Sequence, residues 1–257
     1  MKILITGAAS GIAYLTALTL AERKHEVYLT CHTNEQAKNV REKVKDYKNI
    51  KVMKIDITKE EDRQRVLNLN VDCLYNHAAC ALGGSIVEAD MDKVRDNFEV
   101  NVFSSFRLLQ LVLRQMIDKD RGRIVVMSSM AAVMPIPFGG IYSATKASIS
   151  SIVNALKKEL FIMGTNVSVA LVEPGLYHTG FNDVFLDNKY NDGKYFKDVK
   201  DELYNVEHFL LRISEKKELD SIVVQIVRAI EDKKLKKVYR APLSYALLGK
   251  IYGFFRA

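Results

Sequence analysis

The 257-residue chain contains no tryptophan, four prolines and three cysteines. Cys31, Cys73 and Cys80 are odd in number, lie in or beside apolar runs and lack the C-x-x-C spacing of a zinc site. The sequence therefore favours neither a disulfide framework nor a metal centre. We expect reduced thiols, no bound metal and a cytoplasmic protein.

Long hydrophobic runs are also missing. No segment is apolar over the length that a bilayer span requires, and the amino terminus lacks the apolar stretch and cleavage site of a secretory signal. The net charge is +7, yet basic and acidic residues alternate along most of the chain, so a nucleic-acid partner is not expected. We interpret the one conspicuous basic run as a solvated helix end; it contains Lys233, Lys234, Lys236, Lys237 and Arg240.

Short apolar runs rich in β-branched residues recur and alternate with stretches of helical periodicity. Runs without polar alternation are typical of strands that helices cover on both faces. The sequence thus predicts an α/β fold, a doubly wound parallel sheet of about seven strands in one domain. Strands are predicted at 2–6, 26–31, 50–56, 71–75, 123–128, 167–173 and, more weakly, 237–239. Helices are predicted at 12–23, 34–47, 60–67, 91–116, 141–163 and 219–231.

Two segments interrupt this alternation. Residues 181–214 follow the sixth predicted strand, are rich in Tyr, Phe, Asn, Asp and Lys, and fit neither period. Ligands of open α/β sheets bind beyond the carboxyl ends of the strands, so this insertion is expected to be a substrate lid. Residues 241–257 form an apolar, aromatic tail that we expect to pack on the body or on a partner subunit, without peripheral membrane contact.

The first strand leads into a glycine-bearing turn that opens a helix. Its sequence is Thr6-Gly7-Ala8-Ala9-Ser10-Gly11-Ile12-Ala13. A dinucleotide pyrophosphate needs backbone N–H groups and a helix N-terminus at this position. Gly7 permits a sharp turn, and Gly11 allows a phosphate to approach the backbone.

Tyr142 and Lys146 lie four residues apart on a helical pattern and therefore share one face. A tyrosine hydroxyl ordinarily has a pKa of about 10, and a nearby ammonium favours its anionic form. The pair is therefore expected to supply an acid or base near neutral pH. Ser129, thirteen positions before Tyr142, is placed to donate a hydrogen bond to a substrate oxygen, whereas Ser128 is expected to point the other way.

Together these motifs resemble the short-chain dehydrogenase/reductase family over about the first 180 residues. The first turn is similar to the family's T-G-x-x-x-G-I-G, with Ala13 in place of the last glycine, and Tyr142 and Lys146 match its Y-x-x-x-K. Asn76-His77-Ala78-Ala79 resembles N-N-A-G, with departures at His77 and Ala79, and residues 174–179 resemble P-G-x-x-x-T.

The resemblance implies hydride transfer between a nicotinamide dinucleotide and a carbonyl or alcohol. The implied catalytic residues are Asn101, Ser129, Tyr142 and Lys146, with Asn101 supporting a water that links Lys146 to solvent. The implied cofactor-binding residues are Gly7, Ser10, Gly11, Ile12, His32, Thr33, Asp56, Ile57, Asn76, Ala78, Tyr142, Lys146, Pro174, Gly175, Tyr177 and Thr179.

The end of the second strand bears on the choice between NAD and NADP. An NAD-selective site places an acid there, and this chain has Cys31 instead. His32 and Thr33 follow and could donate hydrogen bonds to a 2′-phosphate, or they could simply begin the next helix. We expect NADP(H) to be favoured over NAD(H), increasingly so at a lower pH that protonates histidine.

Substrate and assembly are less constrained by the sequence. The apolar tail favours a lipid-like or otherwise hydrophobic ketone or aldehyde. An epimerase or dehydratase of the same fold, or a non-catalytic dinucleotide-binding regulator, remains an alternative. The family implies a homodimer or homotetramer through the helices that contain Asn101 and Tyr142. The apolar positions there exceed what one buried face needs, namely Val102, Leu108, Leu109, Leu111, Val112, Ile149, Ile152, Val153 and Leu156.

Overall fold

The computed structural model describes residues 1–187, 194–245 and 247, and its centre is a seven-stranded parallel sheet. The strand order is β3-β2-β1-β4-β5-β6-β7, so the chain starts in the middle and winds first to one edge and then to the other. The strands are β1 Lys2–Ile5, β2 Glu26–Cys31, β3 Ile50–Lys54, β4 Cys73–Asn76, β5 Gly122–Met127, β6 Val167–Pro174 and β7 Tyr239–Ala241.

Helices connect these strands and cover the sheet. They are α1 Gly11–Glu22, α2 Asn34–Lys43, α3 Glu60–Leu67, α4 Met91–Phe98, α5 Ser105–Asp118, α6 Gly140–Met163, α7 Phe181–Asp187, α8 Lys200–Ser214 and α9 Asp220–Glu231. None of the helices in the described part of the chain combines the length and apolarity needed to cross a membrane.

Two buried clusters hold the sheet between its helices. On one face α1, α2 and α9 contribute small and branched side chains such as Ala17, Val40 and Ile226. On the other face α5 and α6 contribute branched side chains such as Leu108 and Val153. Because both sheet faces are buried, the strands carry apolar residues at successive positions, which explains their unalternated sequence pattern. The predicted doubly wound α/β fold is confirmed.

The predicted helix 91–116 is interrupted. A π-helical segment, Glu99–Ser104, separates α4 from α5, so the hydrogen-bonding pattern shifts where Asn101 lies. A π turn keeps the chain helical, so the two α-helices are continuous with each other and the sequence pattern suggested one long helix. Strand β7 begins at Tyr239, two residues later than predicted, because Tyr239 and Ala241 are the positions buried beside β6.

The nine apolar positions that the sequence offered for an oligomer interface are not available at the surface. Eight of the nine apolar positions assigned to an exposed face are buried within the chain itself, and Ile152 is partly buried against the same core. The side chains of these helices that do reach solvent include Phe103 and Phe106. The homo-oligomer itself stays a prediction.

Candidate active site

A cavity of about 990 Å³ opens at the carboxyl edge of the sheet. The strands end there, and the chain turns from β1 and from β6 toward the same space. Fifteen of the predicted site residues line it, namely Gly7, Ser10, Gly11, Ile12, His32, Asp56, Ile57, Ala78, Ser129, Tyr142, Lys146, Pro174, Gly175, Tyr177 and Thr179. Thr33, Asn76 and Asn101 do not line it.

The turn after β1 requires its two glycines. Gly7 has φ +65°, and a Cβ there would lie 2.8 Å from the Cα of Ala78. Gly11 has φ +62°, and a Cβ there would lie 3.3 Å from the Cβ of Thr179. The turn therefore lies against the segments that follow β4 and β6. Both contacts require glycine, because a side chain at either position would crowd the neighbouring segment.

Helix α1 begins at the cavity. Its N-cap, Ser10, is exposed and makes no side-chain capping hydrogen bond. The first N–H groups of a helix have no partner within the helix, so this end suits an anionic group. Ala13, which replaces the family's last glycine, is completely buried in the core, so its methyl group is accommodated.

Asn76 departs from its predicted role, because its side chain is buried and holds the end of β4 in place. Its Nδ2 donates to Ser105 Oγ and to the Ser105 carbonyl, at 2.9 and 3.0 Å. Thr6 Oγ1 accepts hydrogen bonds from the N–H groups of His77 and Ala78, at 2.9 and 3.0 Å. Asn76 and Thr6 thus position the loop that contains Ala78, and Asn76 does not face the cavity.

Thr33 also differs from the prediction. It is the N-cap of α2, and Thr33 Oγ1 accepts from the Gln36 N–H at 3.1 Å. Gln36 Oε1 accepts in return from the N–H groups of His32 and Thr33. This reciprocal arrangement is a capping box, so the threonine hydroxyl serves the helix. Gln36 lines the cavity in its place, and the T-x-x-Q spacing at 33–36 is the signal that could have revealed it.

His32 lies at the rim of the cavity and faces an acid. Its Nδ1 is 3.8 Å from Asp56 Oδ1, and its side chain is 67% exposed. Asp56 Oδ1 also accepts hydrogen bonds from the N–H and hydroxyl of Thr58, at 2.9 and 2.7 Å. Burial raises the pKa of Asp56, but these two hydrogen bonds and the nearby His32 lower it by more. The pKa is therefore below its usual value, and the carboxyl is ionised.

Tyr142 projects from the first turns of α6 into the cavity beside Ser129. Burial raises the pKa of the Tyr142 hydroxyl well above its usual range, and a hydrogen bond with Ser129 opposes that shift only in part. The expected lowering of this pKa by Lys146 is not observed, since the Lys146 ammonium lies 5.7 Å from the ring centre and burial dominates. Tyr142 is therefore protonated at neutral pH.

Lys146 lies one helical turn beyond Tyr142 and is 4% exposed. Its Nζ donates to the carbonyl of Met127, the last residue of β5, at 3.3 Å. Burial lowers the pKa of this ammonium to about 8, because a charge far from water is poorly solvated. The group consequently changes its charge close to physiological pH.

The two serines after β5 have separate roles. Ser128 Oγ contacts Ser150 Oγ at 2.7 Å and donates to the Lys146 carbonyl at 3.1 Å, so it fastens β5 to α6. Ser129 faces the cavity, and its Oγ accepts from the Ala131 N–H at 3.1 Å. The prediction that the two side chains point in opposite directions is confirmed.

Asn101 lies in the π-helical segment and binds protein groups. Its Oδ1 accepts from the Cys80 N–H at 2.8 Å, while its Nδ2 donates to the Cys80 carbonyl at 2.9 Å and to Thr145 Oγ1 at 3.2 Å. Thr145 Oγ1 donates in turn to the Tyr142 carbonyl at 2.7 Å. The Asn101 side chain thus positions the loop after β4 and the start of α6. The predicted role was different, namely to support a water molecule that links Lys146 to solvent.

The outer part of the cavity is apolar and comes largely from residues after β6. The rings of Phe181 and Phe185 lie 5.6 and 6.1 Å from the Tyr142 ring, centre to centre. Leu211 of α8 also lines the space. Tyr245 lies over Gly175, where a Cβ would come within 2.5 Å of the Tyr245 Cγ. Tyr245 is not recognisable as a site residue from the sequence, because no local pattern links it to a site seventy residues earlier.

Comparison with known proteins places these features in a family. The family model for short chain dehydrogenases matches residues 1–189. The chain is 35% identical over 187 residues to the 3-ketodihydrosphingosine reductase of Bacteroides thetaiotaomicron, a match that covers 70% of this chain and 65% of that protein. It is 26% identical over 198 residues to an uncharacterized oxidoreductase of Listeria innocua, with 74% and 80% covered.

Solved structures share the fold. A short chain dehydrogenase/reductase from Burkholderia phymatum in complex with NAD superposes with a TM-score of 0.83 and 19% identity, covering 97% of this chain and 91% of that chain. The closed form of serine dehydrogenase complexed with NADP⁺ has a TM-score of 0.71 and 21% identity, covering 95% and 96%. With the family model matching most of its length, this chain belongs to the short-chain dehydrogenase/reductase family of oxidoreductases.

Proposed function

We propose that this chain reduces a hydrophobic ketone or aldehyde to an alcohol with a nicotinamide dinucleotide, and that NADP(H) is the preferred form. The observation that carries the proposal is the Tyr142 hydroxyl, which lies in an apolar cavity beside Ser129 with Lys146 one turn away. All three side chains face a single space, at the carboxyl edge where open α/β sheets bind ligands.

The residues around the cavity fit a dinucleotide. The turn at Gly7 and Gly11 leaves the N-terminus of α1 open, and Asp56, Ile57 and Ala78 extend the lining away from Tyr142. When bound, the dinucleotide supplies or accepts the hydride. Lys146 would hold its nicotinamide ribose, and Gly175 and Thr179 would hold its nicotinamide end.

The protein groups define the proton chemistry. Ser129 donates a hydrogen bond to the carbonyl oxygen of the substrate and holds it beside the Tyr142 hydroxyl. Tyr142 gives its proton to that oxygen as the alcohol forms, and a protonated tyrosine is the state that burial favours. The Lys146 ammonium then stabilises the resulting phenolate. These assignments favour the reductive direction.

The hydrophobic substrate is supported by the cavity wall. Phe181, Phe185 and Leu211 line the space around Tyr142 with apolar side chains, although Asn182 and Glu207 of the same segments also line it. The relative from Bacteroides thetaiotaomicron is named for reduction of a long-chain ketone, 3-ketodihydrosphingosine. We infer that α7 and α8 act as the substrate lid. Purified protein should oxidise NADPH with 3-ketodihydrosphingosine faster than with short, polar ketones; the reverse order would contradict a lipid-like substrate.

The NADP preference is supported by the absence of an acid at Cys31 and by His32 at the rim. Asp56 lies 3.8 Å from His32 and moderates the effect, because its carboxylate opposes a phosphate. Comparing kcat/KM for NADPH and NADH in the wild type and in His32→Ala tests the proposal. The wild type should favour NADPH, and His32→Ala should lower the NADPH to NADH ratio. A preference for NADH in the wild type would contradict it.

A further inference from the structure

The amino edge of the sheet, opposite the cavity, carries an exposed apolar group. Phe161, Ile162 and Met163 end α6 and are 87%, 83% and 57% exposed. Gly164 follows in the left-handed conformation, with φ +70°, and a Cβ there would have no described neighbour within 4 Å. Three large apolar side chains in succession therefore project into solvent.

Basic side chains lie on the segments next to this tip. Segments 118–121, 161–166 and 232–238 precede the neighbouring parallel strands β5, β6 and β7, so all three lie at the same edge. Lys157 and Lys158 lie one helical turn before Phe161 and Ile162, on the same faces of α6. Lys157 Nζ donates to the Lys237 carbonyl at 2.8 Å, which holds the basic run against the end of α6.

The charge of the three segments next to the tip is predominantly positive. Segments 118–121, 157–166 and 232–237 contain eight basic side chains and four acidic ones. The basic ones are Lys119, Arg121, Lys157, Lys158, Lys233, Lys234, Lys236 and Lys237, and the acidic ones are Asp118, Asp120, Glu159 and Asp232. Side chains of both signs have partners in this set. Asp120 accepts hydrogen bonds from Thr165 and Asn166, and Asp232 contacts Arg228 and Tyr239. Lys119 contacts Asn70, and Lys236 contacts Gln225.

We infer that this edge docks on the surface of an anionic lipid bilayer, with Phe161, Ile162 and Met163 inserted between headgroups and the neighbouring lysines on lipid phosphates. A projecting apolar tip with basic side chains on the neighbouring segments of the same edge fits an interfacial anchor. A protein partner would need a matching pocket for the tip, and a nucleic acid would leave the three apolar side chains in water. The inference is independent of the proposed function.

The fold determines how the docked molecule is oriented. The tip is at the amino edge of the strands, and the cavity is at their carboxyl edge. A molecule that rests on its amino edge therefore presents the mouth of the cavity away from the bilayer. Docking would hold the protein at the surface without blocking the cavity.

Vesicle cosedimentation tests the inference with the full chain. Wild-type protein should sediment with vesicles of phosphatidylglycerol and phosphatidylcholine but not with pure phosphatidylcholine, and about 0.5 M salt should release it because screening weakens charge attraction. Phe161→Ser/Ile162→Ser and, separately, Lys233→Ala/Lys234→Ala should each lower binding at least about tenfold. Phe209→Ser is the matched control, because Phe209 is an exposed phenylalanine of α8 and its loss should leave binding unchanged.

Three outcomes would overturn the inference. Wild-type protein could fail to bind either vesicle, or Phe209→Ser could lower binding while the α6 variant does not. Phe161→Ser/Ile162→Ser could instead convert an oligomer to a monomer in light scattering, which would make the tip a contact between copies of this chain. A melting temperature equal to that of the wild type verifies that each variant is folded. If the Phe161→Ser/Ile162→Ser protein does not fold, the Lys233→Ala/Lys234→Ala protein still tests whether this edge binds the vesicles.

Discussion

Burial controls the chemistry of the two central side chains. Tyr142 and Lys146 lie away from water, and in each case the uncharged form gains: the tyrosine pKa rises, and the lysine pKa falls to about 8. Their spacing in sequence suggested mutual stabilisation of opposite charges. Desolvation is the larger effect because the ammonium lies beside the Tyr142 ring, at 5.7 Å from its centre, with the Met127 carbonyl as its hydrogen-bond acceptor.

Tyr142→Phe should abolish most turnover while dinucleotide binding is retained. The substitution removes the transferable proton and leaves the ring that packs on Phe181 and Phe185. Loss of such an acid lowers kcat by about 10²- to 10⁴-fold. Steady-state kinetics and fluorescence titration with NADPH measure the two effects. Tyr28→Phe, which changes a tyrosine outside the cavity, is the control, and near-wild-type turnover in Tyr142→Phe would exclude the mechanism.

Lys146→Met should stabilise the fold and inactivate the enzyme. The folded protein releases the lysine proton near pH 8, whereas the unfolded chain holds it to about pH 10.5. Below pH 8 the buried charge therefore destabilises the fold, by up to about 3 kcal/mol, and the penalty declines as pH rises from 8 toward 10.5.

Urea unfolding at pH values of about 7 and 9.5 measures this effect. We expect the variant to be more stable by about 1 to 3 kcal/mol at the lower pH, with a smaller difference at the higher one. The lost hydrogen bond to the Met127 carbonyl reduces the gain. A destabilised variant at the lower pH would mean that Lys146 is well solvated.

At the scale of elements, Thr33 at the start of α2 could either cap the helix or bind the cofactor, and a substitution can distinguish the two roles. The capping box is a structural role, and Thr33→Ala should lower the free energy of unfolding by about 1 kcal/mol. Because the hydroxyl does not line the cavity, the KM for NADPH should be unchanged. Thr33→Ser, which keeps the capping oxygen, should retain most of the stability. A large rise in KM without loss of stability would restore the predicted contact with the cofactor.

The run from α4 to α5 illustrates what periodicity misses. The pattern of apolar residues predicted a helix at 91–116, and the structure has helical residues throughout. The π turn at Glu99–Ser104 is decided by contacts that are distant in sequence, since Asn101 binds the backbone of Cys80 and the hydroxyl of Thr145. No local pattern contains those partners.

At the scale of the whole molecule, assembly stays a prediction with a new candidate surface. The family implies contacts through the helices that contain Asn101 and Tyr142. Close to Asn101, the side chains of Phe103 and Phe106 are exposed, at 59% and 38%. We expect a dimer or tetramer at micromolar concentration in light scattering. Phe103→Glu/Phe106→Glu should yield a monomer, and a monomeric wild-type protein would contradict the expectation.

The carboxyl edge holds the cavity, whose inner part falls within the matched residues 1–189 and whose outer part includes Leu211 and Tyr245, beyond that match. The segments proposed to choose the substrate thus lie partly outside the region that defines the family. Substrate choice can therefore differ among relatives that share the reaction. Of the predicted tail, residues 246 and 248–257 lie outside the described residues.

The sequence by itself determined the order of the strands and of the helices that cover the sheet, the glycine turn and the pairing of Tyr142 with Lys146, but not helices α7 and α8 within residues 181–214. Each feature that it determined depends on residues within one or two turns or strands, where backbone preference and periodicity act directly. Tertiary structure decided which side chains face the cavity. It assigned Asn76, Thr33 and Asn101 to structural hydrogen bonds and brought Gln36 and Tyr245 to the cavity. It also set the pKa values, because burial depends on packing between segments that are remote in the chain.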